Sequence, residues 1–326
     1  MRRILAATLV AVLAMGATAA GAASPRGHAG EAPLQRRDVS FAVANPHEPG
    51  RVRTVHGFRI DPACAATTVV LLQHGLSYTG AAWDFTPDYS VARTLARAGY
   101  AVVAIDRLGY GRSVLEDGRA VSVEAYASMA HQIAGQLRAE FAHVAVGGHS
   151  AGAEATETMA GVFGGADAIL ALGYHHFPSP ELVLEFASGD AVRAAQDDYE
   201  YFLATPEQRA AWFYTEAADP EVVAADTAAA VLTPSGEIHS IGKQPSRSVA
   251  ANISVPVFLQ LADADRLFPV EYADEAAAMF VRSPAVTVDV VPDAGHTFML
   301  HPSGTAAAGR MAAWLASLPQ TPPCRP

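Results

Sequence analysis

Short apolar runs built from Val, Ile, Leu and Ala recur along the chain, at Thr67–Gln73, Tyr100–Asp106, His143–Gly147, Ala168–Leu172, Val255–Leu261 and Ala285–Val291. Such near-continuous runs read as strands covered on both faces, as in a parallel sheet. Helical stretches lie between them. One runs from Ser90 to Ala98 and stops at Gly99, and a last one runs from about Thr305 to Ala316. Strands and helices alternating at this spacing imply βαβ crossovers. The predicted fold class is therefore α/β, a mainly parallel sheet with helices on both faces.

One segment breaks the rhythm. Between Tyr174 and Ile253 no run reads as a strand, whereas Glu181–Phe186, Ala191–Leu203 and Pro206–Ala218 have helical character, the last opened by Thr205-Pro206. The pattern predicts a helical cap over about 175–250, inserted between two strands of the sheet and covering it from above. Its aromatic residues Tyr199, Tyr201, Phe202, Trp212, Phe213 and Tyr214 are expected to form mainly the cap's own core, with a few facing a ligand. Ahead of the sheet, Gly27–His47 is polar and interrupted by Pro33 and Pro46. This predicts a tail over 24–47 draped on a main domain of 48–326, before a first strand or hairpin.

The two ends change the picture of where the chain works. Met1-Arg2-Arg3, an apolar stretch from Ile4 to about Ala14, and small residues including Ala20-Gly21-Ala22 follow the order of a secretory signal peptide, expected over 1–23. The stretch is too rich in Ala and Gly after Met15 for a strongly apolar membrane anchor. Secretion is thus expected, with no stable membrane insertion once the leader is cleaved. The net charge of −11, more negative still without Arg2 and Arg3, repels phosphate backbones and argues against nucleic acid as a partner. The only cysteines, Cys64 and Cys324, are expected to be bonded in an oxidising compartment, tying the C-terminal tail to the early sheet.

Candidate chemistry starts at Gly148-His149-Ser150-Ala151-Gly152, a G-x-S-x-G pattern directly after a predicted buried strand and before a helical run. A tight strand-to-helix turn lifts such a serine hydroxyl above the sheet, and the flanking glycines remove Cβ atoms that would collide. Out of this context the pattern is only a serine capping a helix between turn glycines. A serine hydroxyl needs a base, and His296 follows the last predicted strand, at the same edge of the sheet. The fifth strand ends in Ala262-Asp263-Ala264-Asp265, which offers an orienting carboxylate in the order Ser, Asp, His. His74-Gly75-Leu76 ends the first strand, so the amides of Leu76 and Ala151 are candidate oxyanion donors. His149, His301 and the pair His175-His176 are poorer bases, and no histidine spacing suits zinc. No metal or cofactor is expected.

These pieces together resemble the α/β-hydrolase superfamily, specifically its capped, secreted esterase-like members, from about Thr67 to His296. The resemblance also rests on Trp83-Asp84-Phe85 and on the Asp106–Ser113 loop. The superfamily's acid loop places the acid four residues before a proline, which selects Asp265, ahead of Pro269, over Asp263. Where family members start that loop with Gly, this chain has Ala262. The resemblance implies Ser150, Asp265 and His296 as a catalytic triad cleaving a small-molecule carboxylic ester through an acyl-enzyme. Amide, peptide or lactone hydrolysis on the same triad is the alternative, and a non-catalytic binder of small ligands a more distant one. A serine in the elbow argues against epoxide hydrolases and haloalkane dehalogenases.

Overall fold

The computed structural model describes residues 34–188, 200–202 and 205–325. The expected leader over 1–23 and the start of the tail lie outside the described residues, as do residues 191–199 and 203 of the expected cap helix Ala191–Leu203. Eight strands form one sheet. They are β1 (Arg36–Ala44), β2 (Val52–Ile60), β3 (Thr68–Gln73), β4 (Ala101–Ile105), β5 (His143–His149), β6 (Ala168–Leu172), and, past the cap, β9 (Val257–Ala262) and β10 (Val286–Val291). Their spatial order is β1-β2-β4-β3-β5-β6-β9-β10. The pairings β1 with β2 and β2 with β4 are antiparallel, and all the others are parallel.

Successive side chains of the central strands feed opposite cores, as period two requires. Val70 and Leu72 pack on one face with α1 (Val91–Arg97) and the final helix Gly304–Ser317. Val69, Leu71, Val103 and Val146 pack on the other, with α2 (Val123–Leu137) and α3 (Ala151–Val162). All four of the latter are fully buried, each contributing about 1.5–3 kcal/mol of apolar burial.

The tail expectation is corrected over part of its length. Residues 36–44 form β1, with Phe41 and Val43 buried between exposed Ala42 and Ala44. That short alternation lets an antiparallel edge strand bury one face, and the polar residues that made the stretch read as a tail are its solvent face.

Between β6 and β9 lies the cap, with helices α4 (Pro180–Ser188), α5 (Pro206–Phe213), α6 (Pro220–Ala228) and α7 (Ser235–Ile241). Two expectations change here. The helix predicted over Pro206–Ala218 ends at Phe213, because the Phe213 carbonyl accepts a hydrogen bond from the Thr297 amide (3.1 Å) and Tyr214 turns extended. The chain then restarts as α6, which Asp219 caps with Pro220 in its first turn. The cap also holds a two-residue antiparallel ladder, β7 (Tyr201–Phe202) with β8 (Thr233–Pro234), where no strand was expected. Two residues are too few for a periodic signal. No helix among the described residues is long and apolar enough to cross a membrane.

Cys64 and Cys324 form a disulfide with Cα atoms 5.9 Å apart, closing 260 residues of chain. In a chain-entropy picture a loop of that length contributes about 4–5 kcal/mol. The tail is held elsewhere too: the Thr68 hydroxyl donates to the Pro322 carbonyl (2.7 Å) and the Cys324 amide to the Gly99 carbonyl (3.0 Å).

Candidate active site

Every predicted site residue stands at the carboxyl edge of the parallel strands, where loops converge on a crevice. Leu76 follows β3, Ser150 and Ala151 follow β5, Asp265 follows β9 and His296 follows β10. Ser150 has φ 54° and ψ −123°, a conformation that costs a non-glycine residue about 1–3 kcal/mol. The surroundings hold it there. The Ser150 amide donates to the Leu172 carbonyl (2.8 Å), and its side chain makes no helix-capping bond, so the hydroxyl is not spent on the backbone. A Cβ on Gly148 would come within 2.0 Å of the Gly152 carbonyl oxygen, and one on Gly152 within 2.5 Å of that of Gln73. Only glycine fits either position.

His296 and Asp265 are both buried, with His296 Nδ1 2.8 Å from Asp265 Oδ2. The other oxygen of Asp265 accepts the amides of Leu267 (2.8 Å) and Phe268 (3.1 Å). A carboxylate so held accepts a hydrogen bond from Nδ1–H and leaves Nε2 with its lone pair. Asp263 has a different task. Its carboxylate accepts the amides of Asp293 (3.0 Å) and Ala294 (3.2 Å), joining the acid loop to the turn that presents His296, in which Asp293 has φ 54°.

Ser150, His296 and Leu76 line one cavity of about 550 Å³, roofed by cap residues such as Leu182, Phe213 and Ile238. Its wall is largely apolar, and of the cap's aromatics Trp212 and Phe213 face it. Phe213 and Tyr214 are buried in the core shared with the sheet rather than in a core of the cap's own, while Tyr199 and the Phe202 side chain lie outside the described residues. A Cβ on Gly75 would stand 3.1 Å from Ser150 Cβ, which measures how closely the β3 loop approaches the serine. Among the described residues, the amides of Leu76 and Ala151 donate to no acceptor in the protein.

Sequence reasoning missed how these loops are fixed. Four buried histidines, three of them set aside above as bases, each fasten one of them. His74 donates from Nδ1 to the Gly75 carbonyl (2.8 Å) and accepts the Arg107 amide at Nε2 (3.0 Å). His149 Nε2 donates to the His296 carbonyl (2.9 Å). His175 Nε2 donates to the Pro269 carbonyl (3.0 Å) and its Nδ1 accepts the Phe177 amide (3.2 Å), steadying the acid loop. His301 donates to the Thr297 carbonyl (3.1 Å) and accepts the Gly295 amide (3.1 Å). A ring that both donates and accepts must be neutral, and burial keeps these neutral. His149 is pushed down to about 3, by burial first and the neighbouring His296 second. His74 is held well below its usual value by burial and then by Arg107, and His175 and His301 are lowered chiefly by burial.

The linkage has a definite sign. An unfolded histidine takes a proton near pH 6.5 and these folded ones refuse it, so the unfolded state binds more protons on acidification and stability falls. Buried Glu154, whose carboxyl is held well above its usual value, works the other way, since the unfolded chain must release a proton that the folded chain keeps. From pH 6 to 4.5 each histidine that stays neutral costs on the order of 2 kcal/mol and Glu154 returns a similar amount, so four such rings outweigh one acid. Chemical denaturation at the two pH values is therefore expected to show a net loss of stability at the lower pH. Constant or rising stability would contradict the neutral rings.

The cap is bonded into the same loops. Ser77, at φ 57°, gives its amide to Thr233 Oγ1 (3.0 Å) and its carbonyl to the Val231 amide (3.1 Å), and its hydroxyl accepts from Arg209. Arg209 of α5 pairs with Asp226 of α6 (2.7 Å), both buried. Arg107 donates to the Gly75 carbonyl (3.1 Å) and forms a buried ion pair with Glu237 of α7, which also accepts from Tyr110. The cap thus does more than cover the sheet: it sets the backbone on both sides of Leu76.

Residues 69–308 match the family described as "Alpha/beta hydrolase family". No curated protein matches the chain. Among solved structures, the chain is similar to a thermophilic esterase from Thermogutta terrifontis, at 19% identity over 86% of this chain and 98% of that one, TM-score 0.65. It is similar to a monoacylglycerol lipase from Paleococcus ferrophilus, at 19% over 80% and 98%, TM-score 0.64. It is also similar to E-2-(acetamidomethylene)succinate hydrolase, at 14% over 86% and 99%, TM-score 0.60. At these identities the likeness is one of fold.

Proposed function

The chain belongs to the alpha/beta hydrolase family, and from that premise we propose that it is a secreted serine hydrolase that cleaves carboxylic esters through an acyl-enzyme on Ser150. The observation that carries the reading is the buried His296–Asp265 pair, 2.8 Å between Nδ1 and Oδ2, on the cavity that Ser150 also lines. Ser150 Oγ attacks the scissile carbonyl while His296 Nε2 takes its proton. Asp265 keeps the second ring proton on Nδ1 and stabilises the imidazolium that forms. The amides of Leu76 and Ala151 receive the oxyanion, each contributing on the order of 3 kcal/mol. His296 returns its proton to the departing alcohol, then activates the water that releases the acid. The mostly apolar cavity suits a small ester whose acyl or alcohol part is itself largely apolar. Secretion is supported by the leader pattern over 1–23 and by the Cys64–Cys324 bond.

The test is a fluorophosphonate probe followed by a substrate panel. The probe is expected to modify Ser150 alone. Acyl esters are expected to turn over faster than matched aminoacyl amides. Absence of labelling on folded protein overturns the serine mechanism, and turnover of amides alone overturns the ester assignment.

A further inference from the structure

The mechanism leaves one buried acid without a task. Glu154 stands one turn along α3 from Ser150, its amide bonded to the Ser150 carbonyl (3.1 Å), and it lines the same cavity. Its side chain is fully buried, yet neither carboxyl oxygen has a hydrogen-bond partner among the described residues. Leaving such a group unpaired costs about 1–3 kcal/mol or more, so its presence calls for an occupant that the protein itself does not provide. The surrounding wall supplies none. Tyr174 shares its hydroxyl hydrogen bond with Ser246, Leu182, Ile238, Leu267 and Phe268 are apolar, and the polar residues of the lining, Lys243 and Gln244 among them, make no hydrogen bond to it.

The charge state of Glu154 narrows the occupant. Burial first, then the negative charges of Glu157 on the same helix, Glu237 from the cap and Glu124 from α2, hold the carboxyl well above its usual value. Tyr174, which follows β6, lies close enough to be affected by Glu154 and is itself held protonated by burial. Held above its usual value, the Glu154 carboxyl keeps its proton more readily than a free glutamic acid, and in that form it has one O–H to donate and one carbonyl to accept. A neutral acid does not pair with an ammonium group as a carboxylate does, and the three acids around it disfavour an anion. The complement is a neutral hydroxyl, which donates and accepts at a single atom.

Helical side chains lean towards the helix N-terminus, here towards Ser150, and neighbours at this spacing stand about 6 Å apart. We propose that Glu154 is a second recognition point of the cavity, and that the preferred substrate is an ester carrying a hydroxyl roughly three to five bonds from its scissile carbonyl. The proposal rests on the ester-hydrolase reading and adds to it the class of ester.

Two matched pairs test it by pH-stat at pH 7. Ethyl 3-hydroxybutanoate against ethyl butanoate places the hydroxyl on the acyl side, and 3-hydroxypropyl butanoate against propyl butanoate places it on the alcohol side. The wild-type protein is expected to favour the hydroxylated member of one pair by about tenfold or more in kcat/KM, since a site built to bond a hydroxyl rejects the analogue lacking it. Glu154→Leu is expected to lower that ratio about tenfold, with the hydroxylated ester falling and the alkyl ester rising. Glu154→Gln, which keeps one donor and one acceptor, is expected to hold the ratio within about threefold.

A parallel fall of both esters in Glu154→Leu would make Glu154 structural and overturn the proposal. So would a stronger wild-type preference for the corresponding ammonium esters. The wild-type ratios decide the matter even if Glu154→Leu does not fold: ratios near unity in both pairs overturn the hydroxyl assignment and leave the ester reading standing. Failure to cleave any of the four esters strikes the ester reading itself.

Discussion

Ser150→Ala is expected to lower kcat on p-nitrophenyl esters by about 10⁴-fold or more in a protein that still folds, and to abolish fluorophosphonate labelling. The size of the loss follows from the role of the hydroxyl as the attacking atom, for which neither His296 nor water held in the cavity is a substitute. Alanine keeps the Cβ, so the strain at φ 54° is already present in the parent and is not increased. The substitution also removes no cap, because the Ser150 side chain makes no bond to the start of α3. Circular dichroism and thermal unfolding close to the parent are expected beside the kinetic loss. Near-normal turnover in such a folded variant would show that another group attacks.

Asp265→Asn is expected to cost about 10⁴-fold in kcat, as the analogous change does in another triad, and Asp263→Asn far less. The hydrogen bonds around Asp265 explain why. Its Oδ1 accepts the amides of Leu267 and Phe268, so in asparagine the carbonyl oxygen stays with those two donors and the amide NH₂ faces His296. The ring then accepts at Nδ1 and carries its proton on Nε2, the atom that must take the serine proton. Among the described residues the Asp263 carboxylate accepts hydrogen bonds from the amides of Asp293 and Ala294 alone, and its loss is a turn defect of about 1 kcal/mol in stability. Both variants are measured on one ester after folding is checked. Greater damage from Asp263→Asn would move the acid role away from Asp265.

The same contacts change what is expected of the cap. From the sequence it is a helical insertion that covers the sheet from above. In the structure Arg209, Val231, Thr233 and Glu237 hold Ser77 and, through Arg107, the Gly75 carbonyl, so the donor Leu76 sits between two residues fastened by the cap. Arg209–Asp226 and Arg107–Glu237 are buried ion pairs, and breaking such a pair by removing one partner costs about 3–5 kcal/mol. Shortening the cap would disturb the loop that carries Leu76 as well as the shape of the cavity.

The sequence by itself determined what short-range pattern can carry. Buried strands announce themselves as runs of Val, Ile and Leu, and those predicted from Thr67 onwards are all strands of the sheet. The spacing Gly148-His149-Ser150-Ala151-Gly152 contains its own steric reason, since the Cβ atoms it omits are the ones that would collide. The places of His296, Leu76 and the pair Cys64 and Cys324 were legible because strand ends and a two-cysteine count leave few choices, whereas the strand end left Asp263 and Asp265 both open and only the resemblance to the superfamily's acid loop preferred Asp265. Tertiary structure alone decided which buried polar groups meet. Arg107 finds Glu237 across 130 residues, Arg209 finds Ser77 across 132 and His175 finds Pro269 across 94. No local period encodes such partners. Each buried donor or acceptor must be satisfied by whatever the packed elements bring within reach, and the pairing exists only after the sheet and cap have closed around it. Glu154 marks the same boundary from the other side. In sequence it is one acid on a helix, and only the folded cavity shows it to be a buried carboxyl without a partner, one turn from Ser150.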